Sequence, residues 1–332
     1  MSAYIKAISY YLPFNVLTNQ ELERQFPEWS AEKVSAKVGI EHRHIAAADE
    51  TAGDMAYQAA KKLFSEHRID KSCVDFILLC TQSPDYFLPS TACILQDRLG
   101  LRKNTGALDF NLGCSGFVYG LSLAKGLIVA GMARNVLLLT SETYTKYIHP
   151  SDKGNRSIFS DGASATLVST EGFAEIGEFV FGTDGSGAEG LIVKSGASRH
   201  PSVYDDLHID ESGNPVSGDY LYMNGPDIFS FTIEAVPEMI HSCLLSNGLK
   251  QDEISLFVFH QANMYILEFL RKKIRIDKDK FYCNLREVGN TVSSTIPIAL
   301  REAQQACLLK GNIAIAGFGV GLSWGATILK MV

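Results

Sequence analysis

Residues 107–120 constrain the fold of this chain more than any other stretch, because their sequence, Ala-Leu-Asp-Phe-Asn-Leu-Gly-Cys-Ser-Gly-Phe-Val-Tyr-Gly, changes character midway. It predicts a buried strand, a tight turn of small residues and an apolar helix, with Cys114 where the strand gives way to the helix. The first N–H groups of a helix are unpaired and carry partial positive charge, so a thiol held there ionises more easily to the nucleophilic thiolate. A structural thiol packed in this corner is the alternative, because free cysteine is among the most buried residue types.

The composition restricts the possible function classes. The chain has 332 residues, 46% hydrophobic and 20% charged, with a net charge of −7 that gives no indication of a nucleic-acid partner. Its beginning lacks a basic region followed by a long apolar run, and no apolar run approaches the roughly 18 residues that span a bilayer. We therefore expect a cytoplasmic protein with no membrane contact. The seven cysteines form no Cys-x-x-Cys pair, which indicates a reducing compartment, no disulfide framework and no metal site.

Two series of alternating strands and helices follow one another in the chain. In the first, strands at 74–80 and 136–140 flank the Cys114 unit and its helix. In the second, strands at 254–259 and 312–316 flank a polar turn and a helix at 298–309. Alternation of this kind favours parallel sheets covered by helices. We therefore predict an α/β fold of two duplicated halves, residues 1–172 and 173–332, whose sheets share one buried helical layer.

The remaining segments are predicted from helical spacing of apolar residues, capping residues and clusters of turn residues. We expect helices at 28–38, 55–64, 90–99, 227–247 and 264–276, polar turns at 41–45 and 284–297, and long loops at 142–156 and 195–218. Loops as long as the last are usually functional lids or disordered segments.

Three polar turns fall just past the C-terminal ends of predicted strands, which is the edge where open α/β sheets bind ligands. The first carries Cys114, the second carries His260, and the third carries Asn290. Taken singly, His260 could be a hydrogen-bonded core histidine and Asn290 a turn residue beside glycine. A thiol, an imidazole and a carboxamide at equivalent positions of a duplicated fold indicate one catalytic site instead.

The motifs around these turns resemble the signatures of the β-ketoacyl-acyl-carrier-protein synthase III family. The matching segments are Gly-Cys-Ser-Gly-Phe at 113–117, Phe-Ser-Asp-Gly-Ala-Ser-Ala at 159–165, His-Gln-Ala-Asn at 260–263, Gly-Asn-Thr at 289–291 and Gly-Phe-Gly-Val-Gly-Leu-Ser-Trp-Gly at 317–325. They occur in the order that the family shows. The resemblance implies a thiolase-like αβαβα five-layer fold, a homodimer, and an acyltransferase that uses acyl-CoA as a substrate and needs no cofactor.

The resemblance also implies catalytic roles. Cys114 would carry the acyl group as a thioester, and His260 and Asn290 would bind the thioester carbonyl of malonyl-acyl-carrier-protein as it loses CO₂. The backbone N–H groups of Cys114 and Val320 would form the oxyanion hole. The asparagine argues against the elongating synthases, which use a second histidine, and against the thiolases, which use a second cysteine. Type III polyketide synthases share the three residues but usually have longer chains.

Binding roles follow from the same resemblance. The residues expected to contact CoA are Lys37, Lys153 and Asn263. Those expected in the acyl pocket, reached across the dimer, are Phe87 and Leu88. Carrier protein is acidic and needs a local basic patch on this acidic protein, for which the candidates are Arg271, Lys272, Lys273 and Arg275. A solvated helix face is the alternative for that patch.

The sequence departs from the family at several binding positions. Tyr265 stands where members usually have arginine, and Lys153 replaces an arginine that packs on adenine. Trp29 lies about four residues from the place expected for the adenine-stacking tryptophan, and Leu88 replaces a tunnel phenylalanine. These departures leave the chemistry intact but leave the acyl donor and the acceptor open. A role in secondary-metabolite or polysaccharide biosynthesis is therefore an alternative to fatty-acid initiation.

Three other functions stay open on the sequence alone. A related acyltransferase would move the acyl group from Cys114 to an alcohol or amine without releasing CO₂. A cysteine hydrolase would use the same three residue types on an ester or amide, although the sequence around Cys114 does not match that of papain-like proteases. A non-catalytic dimer partner would tolerate the loss of Cys114.

Overall fold

A layer of two helices between two mixed β-sheets organises the structure, a computed structural model that describes residues 2–211 and 213–332. The strands are β1 (Tyr4–Tyr11), β2 (Asn15–Thr18), β3 (His42–Ile45), β4 (Phe76–Cys80), β5 (Gly106–Phe110), β6 (Asn135–Glu142), β7 (Gly162–Ser169), β8 (Ala174–Thr183), β9 (Leu191–Ile192), β10 (His208–Ile209), β11 (Pro215–Val216), β12 (Tyr222–Met223), β13 (Ile254–Phe259), β14 (Asn312–Gly319) and β15 (Ser323–Met331). The α-helices are α1 (Asn19–Gln25), α2 (Ala31–Val38), α3 (Ala52–Glu66), α4 (Thr91–Arg98), α5 (Gly116–Val129), α6 (Lys153–Arg156), α7 (Gly225–Ser246), α8 (Met264–Ile274), α9 (Leu285–Val288) and α10 (Thr295–Gln305).

Each half of the chain contributes one sheet. The first half has the strand order β5-β4-β6-β7-β1, and the second half has the order β13-β14-β15-β8. β4 runs parallel to β5 and β6, and β13 runs parallel to β14, whereas the other neighbours in the two sheets are antiparallel. Two residue pairs between β1 and β8 join the sheets at one corner. The predicted boundary between residues 172 and 173 lies in the connection from β7 to β8.

The two halves repeat each other element by element. β4, β6, β7 and β1 correspond to β13, β14, β15 and β8, and α5 corresponds to α10. Within the described part of the chain, β5 is matched only by Phe281, which forms a single parallel bridge with Phe257 of β13. A single bridge leaves no apolar pattern of strand length, so the sequence does not reveal this position.

The layers agree with the predicted αβαβα fold. α5 and α10 contact both sheets, α3 and α4 cover the outer face of the first sheet, and α7 with α8 beside it covers the second. α5 approaches β6 closely because residue 120 is glycine, where a Cβ would lie 2.5 Å from Leu138. The turns before α5 and α10 carry Cys114 and Asn290, so the central layer places both residues at the same edge of the molecule.

Three expectations about local structure are wrong. The predicted polar turn at 41–45 is strand β3, whose apolar pattern is broken because Arg43 points inward and is fully buried. The predicted turn at 284–297 contains α9 and the first residues of α10. The loop expected from residue 142 begins later, because β6 continues to Glu142, which is fully buried.

One described helix, α7, is long and apolar enough to cross a membrane by length and composition alone. By length and composition, the expectation that no apolar run approaches the length needed to span a bilayer is therefore wrong for α7. α7 packs against β8, β14 and β15, which is the position of a covering helix in the outer layer of the fold.

Replacing Arg43 with leucine should strongly destabilise the protein. The guanidinium donates to the Ser157 carbonyl oxygen at 2.6 and 2.8 Å, to the Ile40 carbonyl oxygen at 3.1 Å and to Oδ1 of Asn19. Burial lowers the pKa of Arg43 to about 10, which still leaves it protonated at neutral pH. Leucine would leave these acceptors buried without a donor, so we expect the free energy of unfolding to fall by about 3 kcal/mol.

Urea unfolding of the Arg43→Leu variant measures this loss. The matched control is Arg24→Leu on the exposed face of α1, which should shift the unfolding midpoint very little. Equal midpoints for the two variants would contradict the proposed contribution of Arg43.

Candidate active site

Cys114, His260 and Asn290 line a single cavity of about 390 Å³. They come from three separate turns, and their exposed fractions are only 7%, 2% and 4%. The structure therefore places the three predicted side chains in one cavity. The other walls are largely apolar and include Phe159, Leu191, Met223, Ile228, Phe229 and Phe318.

The glycine-rich end of β14 lies directly against the thiol. A Cβ on Gly319 would be 2.9 Å from Cβ and 3.0 Å from Sγ of Cys114, and a Cβ on Gly317 would be 2.7 Å from the Cys114 carbonyl oxygen. Val320, which follows, packs against the buried cluster that contains Cys114. Only glycine permits this approach, which brings the backbone of the predicted oxyanion hole next to the sulfur.

The thiol of Cys114 is protonated at neutral pH. Burial, with a smaller contribution from Glu142, raises its pKa to about 12. Cys114 lies one residue before the cap Ser115, and α5 begins at Gly116. Burial opposes the expected effect of the helix N-terminus on this thiol, whose easier ionisation stays a prediction.

His260 follows β13 and is a neutral imidazole. Burial lowers its pKa to about 3, and its backbone N–H donates to the Ala316 carbonyl oxygen at 2.7 Å. Its Nδ1 lies 2.7 Å from Oγ1 of Thr295, which is also 3.1 Å from the Val292 carbonyl oxygen. If the hydroxyl donates to Nδ1, Nε2 carries the proton and is a donor; if it donates to Val292, Nε2 is a base. The neutral ring can therefore donate a hydrogen bond from Nε2 in one tautomer and accept one there in the other.

The carboxamide of Asn290 has a fixed orientation. Its Oδ1 accepts from the Val292 backbone N–H at 2.9 Å, which leaves the NH₂ group to act as a donor. The backbone of Asn290 pairs with the segment before β7: its N–H donates to the Ile158 carbonyl oxygen at 3.1 Å, and its carbonyl oxygen accepts from Ser160 at 2.9 Å. The residue is thus held on both its main chain and its side chain.

Trp29 lies between the two lysines that were predicted to contact CoA. The Nζ atoms of Lys37 and Lys153 are 5.1 and 5.9 Å from the centre of its ring, and Lys153 also pairs with Glu28 at 3.0 Å. A second cavity of about 220 Å³ contains Trp29 and shares Lys37 with the catalytic cavity. Sequence spacing placed Trp29 outside the CoA position, whereas the structure places its ring beside both lysines.

The other predicted binding residues differ in their placement. Asn263 lines the catalytic cavity, and its side chain caps α8 by accepting from the Ile266 N–H at 3.0 Å. Phe87 and Leu88 are each 83% exposed and do not line the cavity of their own chain. Their expected reach into the pocket of a partner subunit stays a prediction.

The basic patch predicted on α8 is smaller than its sequence indicates. Arg271 pairs with Glu268 at 2.9 Å and donates to the Ile276 carbonyl oxygen at 3.0 Å, so its charge is already engaged. The exposed basic residues there are Lys272, Lys273 and Arg275.

Two residues of this region were missed at the sequence level. Thr295 was placed in a turn, yet its hydroxyl contacts His260. Glu142 was placed at the start of a loop, yet it is fully buried behind the cavity and influences the pKa of Cys114. A carboxylate directly after an apolar strand is the signal that could have drawn attention to Glu142.

Comparison with known proteins agrees with this geometry. The chain matches a family model described as 3-oxoacyl-[acyl-carrier-protein] synthase III over residues 108–185, and the C-terminal model of that family over residues 244–331. It is 39% identical over 324 residues to the β-ketoacyl-[acyl-carrier-protein] synthase III of Clostridium perfringens, covering 97% of both chains. A crystal structure of a 3-oxoacyl-(acyl-carrier-protein) synthase III has a TM-score of 0.97 and 49% identity, covering 100% of both chains. The synthase III of Thermus thermophilus has a TM-score of 0.88 and 32% identity, covering 99% of each.

These matches span nearly the whole chain, and the two family models cover the segments that carry Cys114, His260 and Asn290. They confirm the resemblance that the motifs indicate. The chain therefore belongs to the β-ketoacyl-acyl-carrier-protein synthase III family of condensing acyltransferases.

Proposed function

We propose that the protein condenses an acyl-CoA primer with malonyl-acyl-carrier-protein to give a β-ketoacyl product, the reaction that initiates fatty-acid synthesis. The observation that carries this proposal is the meeting of a thiol, a neutral imidazole and an oriented carboxamide in one apolar cavity. The names of the relatives, which are β-ketoacyl-acyl-carrier-protein synthases III, support the same assignment.

In the first step, Cys114 takes up the acyl group. The Cys114 sulfur attacks the acyl-CoA carbonyl carbon, and the thiol proton passes to the departing CoA sulfur. The bond from that carbon to the CoA sulfur then breaks, and CoA leaves as a thiol with the proton. Backbone N–H groups of Cys114 and Val320 stabilise the oxyanion that forms in between.

In the second step, the malonyl thioester loses CO₂. The electron pair of the broken carbon–carboxylate bond forms an enolate, whose oxygen accepts hydrogen bonds from Asn290 and from Nε2–H of His260. The enolate carbon attacks the acyl carbonyl, the bond to the Cys114 sulfur breaks, and the thiolate that leaves takes a proton from solvent, which restores the Cys114 thiol. Neutral donors suit this step, because a charged imidazolium would transfer its proton to the enolate and end the reaction early. The chemistry uses acyl-CoA as a substrate and calls for no metal or redox cofactor.

Intact-protein mass spectrometry tests the first step. The protein is incubated with a panel of acyl-CoAs, and we expect one mass increment equal to the preferred acyl group. Malonyl-acyl-carrier-protein labelled in its free carboxylate is then added. Labelled CO₂ and a β-ketoacyl product should appear in equal amounts. If the acyl group is instead transferred from Cys114 without release of CO₂, the protein is the related acyltransferase and the proposed condensation is wrong.

We propose that carrier protein docks on the exposed basic residues of α8. Changing Lys272 and Lys273 together to glutamate should raise the KM for malonyl-acyl-carrier-protein by about 10-fold or more and leave acylation by acyl-CoA unchanged. The matched control is Lys310→Glu, another exposed lysine, which should alter neither value. An unchanged KM in the double variant would exclude α8 as the docking surface.

We propose a homodimer for the working enzyme. Phe87 and Leu88 form an exposed apolar loop, and β5 is an edge strand with Leu108 exposed on it. An apolar loop beside an open strand edge is a surface that a partner subunit would cover. A cytoplasmic location stays a prediction from the sequence.

A further inference from the structure

Glu142 is a buried carboxyl with neutral partners. It ends β6, and it accepts from the Gln82 backbone N–H at 3.0 Å, from Ser83 Oγ at 3.2 Å and from Ser293 Oγ at 2.9 Å. None of the ion pairs found among the described residues includes it. Because an unpaired buried charge is costly, burial raises its pKa to about 8, and the group is mostly uncharged at neutral pH. In that form its one O–H donates to one of the two serine hydroxyls, which can accept as well as donate.

Ser293 belongs to a six-residue segment, 290–295, that carries the condensation machinery. At its start, the Asn290 side chain accepts from the Val292 N–H, and at its end the Thr295 hydroxyl contacts His260. Val292 has a φ of 54°, a left-handed conformation that is strained for a β-branched residue. Such a segment keeps its shape only where surrounding contacts hold it.

Two hydroxyls between these ends attach the segment to β6. Ser293 donates to Oε1 of Glu142 at 2.9 Å, and Ser294 Oγ lies 2.7 Å from Thr140 Oγ1. The opposite oxygen of Glu142 is held by residues 82 and 83, which follow β4. Glu142 therefore connects the ends of β4 and β6, in the half that carries the nucleophile, to the segment that carries Asn290.

We infer that Glu142 is a positioning residue: through Ser293 it holds segment 290–295, and with it the Asn290 carboxamide and the hydroxyl partner of His260, in place for condensation. This inference rests on the proposed function and adds a residue that acts through others rather than on substrate. It predicts that disturbing Glu142 affects the second step far more than the first.

Amide hydrogen exchange and the two half-reactions test this inference together. Glu142→Ala and Ser293→Ala should each speed exchange at residues 290–295 and slow condensation by about 10- to 100-fold. Acylation of Cys114 should change less than about threefold. The double variant should be little worse than either single one, because both remove the same contact. Glu142→Gln, which keeps a neutral hydrogen-bonding group, should restore condensation.

The pH profile separates this role from simple support of the fold. The ionisable groups that Glu142 faces are Cys80 from β4, Cys114 before α5, Tyr144 and Tyr147 after β6, and Asp161 before β7. As the pH rises through about 8, Glu142 loses its proton and a negative charge appears against Ser293, three residues from Asn290. Condensation by the wild type should fall in that range, and Glu142→Gln should lack the fall.

The control is Asp109→Asn, a carboxyl that accepts from the first N–H groups of α4, away from the cavity. It should change neither exchange at 290–295 nor condensation. Unchanged exchange in Glu142→Ala, or equal loss of both half-reactions with no rescue by glutamine, would overturn the inference. If exchange rises as expected but the wild type makes no condensation product, the anchoring stands and the proposed function fails.

Discussion

Replacing Cys114 with alanine should remove the acyl adduct from the intact protein and lower condensation by on the order of 10³-fold or more. Alanine has no group that can form the thioester, while the oxyanion hole and the binding cavity remain. The expected measurement is the mass of the protein after incubation with the preferred acyl-CoA, followed by product formation with malonyl-acyl-carrier-protein. The substitution removes one sulfur from a packed site and should leave the fold intact.

Exposed cysteines provide the controls for this result. Cys93 and Cys307 are exposed, so they are the thiols that non-specific acylation would reach first. Cys93→Ala and Cys307→Ala should each keep a single adduct and the wild-type rate. An adduct that survives in Cys114→Ala but is lost in either of these variants would show that the exposed cysteine, and not Cys114, is the nucleophile.

Replacing Asn290 with alanine should separate the two steps. Acylation of Cys114 should stay within a few-fold of the wild type, whereas condensation by preloaded enzyme should fall by about 10²- to 10³-fold, the usual cost of losing one oxyanion donor. The reason is that the Asn290 NH₂ group faces an oxyanion only once CO₂ has left. Single-turnover measurement of each step, with acyl-enzyme isolated between them, provides the comparison.

The Asn290→Asp variant shows whether Asn290 acts through its NH₂ donor or only by holding the backbone of Val292. Aspartate keeps an oxygen for the Val292 N–H but has no NH₂ group, so it should be as slow in condensation as alanine. Asn312→Ala, at the start of β14 and away from the cavity, should behave as the wild type. Loss of acylation with surviving condensation in Asn290→Ala would show that the two roles are assigned the wrong way round.

The sequence predicts the layers of this fold well because long apolar strands and helices dominate them. The strand at 254–259 and the halves of the duplication follow from apolar runs that tertiary contacts do not override. The short elements were missed where polar residues point inward. β3 looks like a turn because its inward residue, Arg43, is satisfied by carbonyl oxygens from other segments, and no local pattern reveals such partners.

Some residues of the candidate site could be predicted from the sequence and others could not. Cys114 and His260 could be found because each lies in a short motif that follows a strand. Asn290 also lies in a short motif, but α9 precedes it, so the expectation that its turn follows a strand is wrong. Trp29 could not be placed by counting residues, since its position depends on how the segment before α2 packs beside Lys153. Glu142 and Thr295 could not be found because their importance lies in contacts between distant segments, and one sequence does not show which polar residues will be buried together.

The helical layer shared by the two sheets also limits how such a protein can change through evolution. α5 and α10 each pack against strands of both halves, so neither half has a finished inner surface of its own. If recombination exchanged one half for that of a relative, the incoming half would need an inner surface that matches the half that stays. Because protein interiors are close-packed, a change of side-chain volume on one side of this layer should be felt by the strands of both halves.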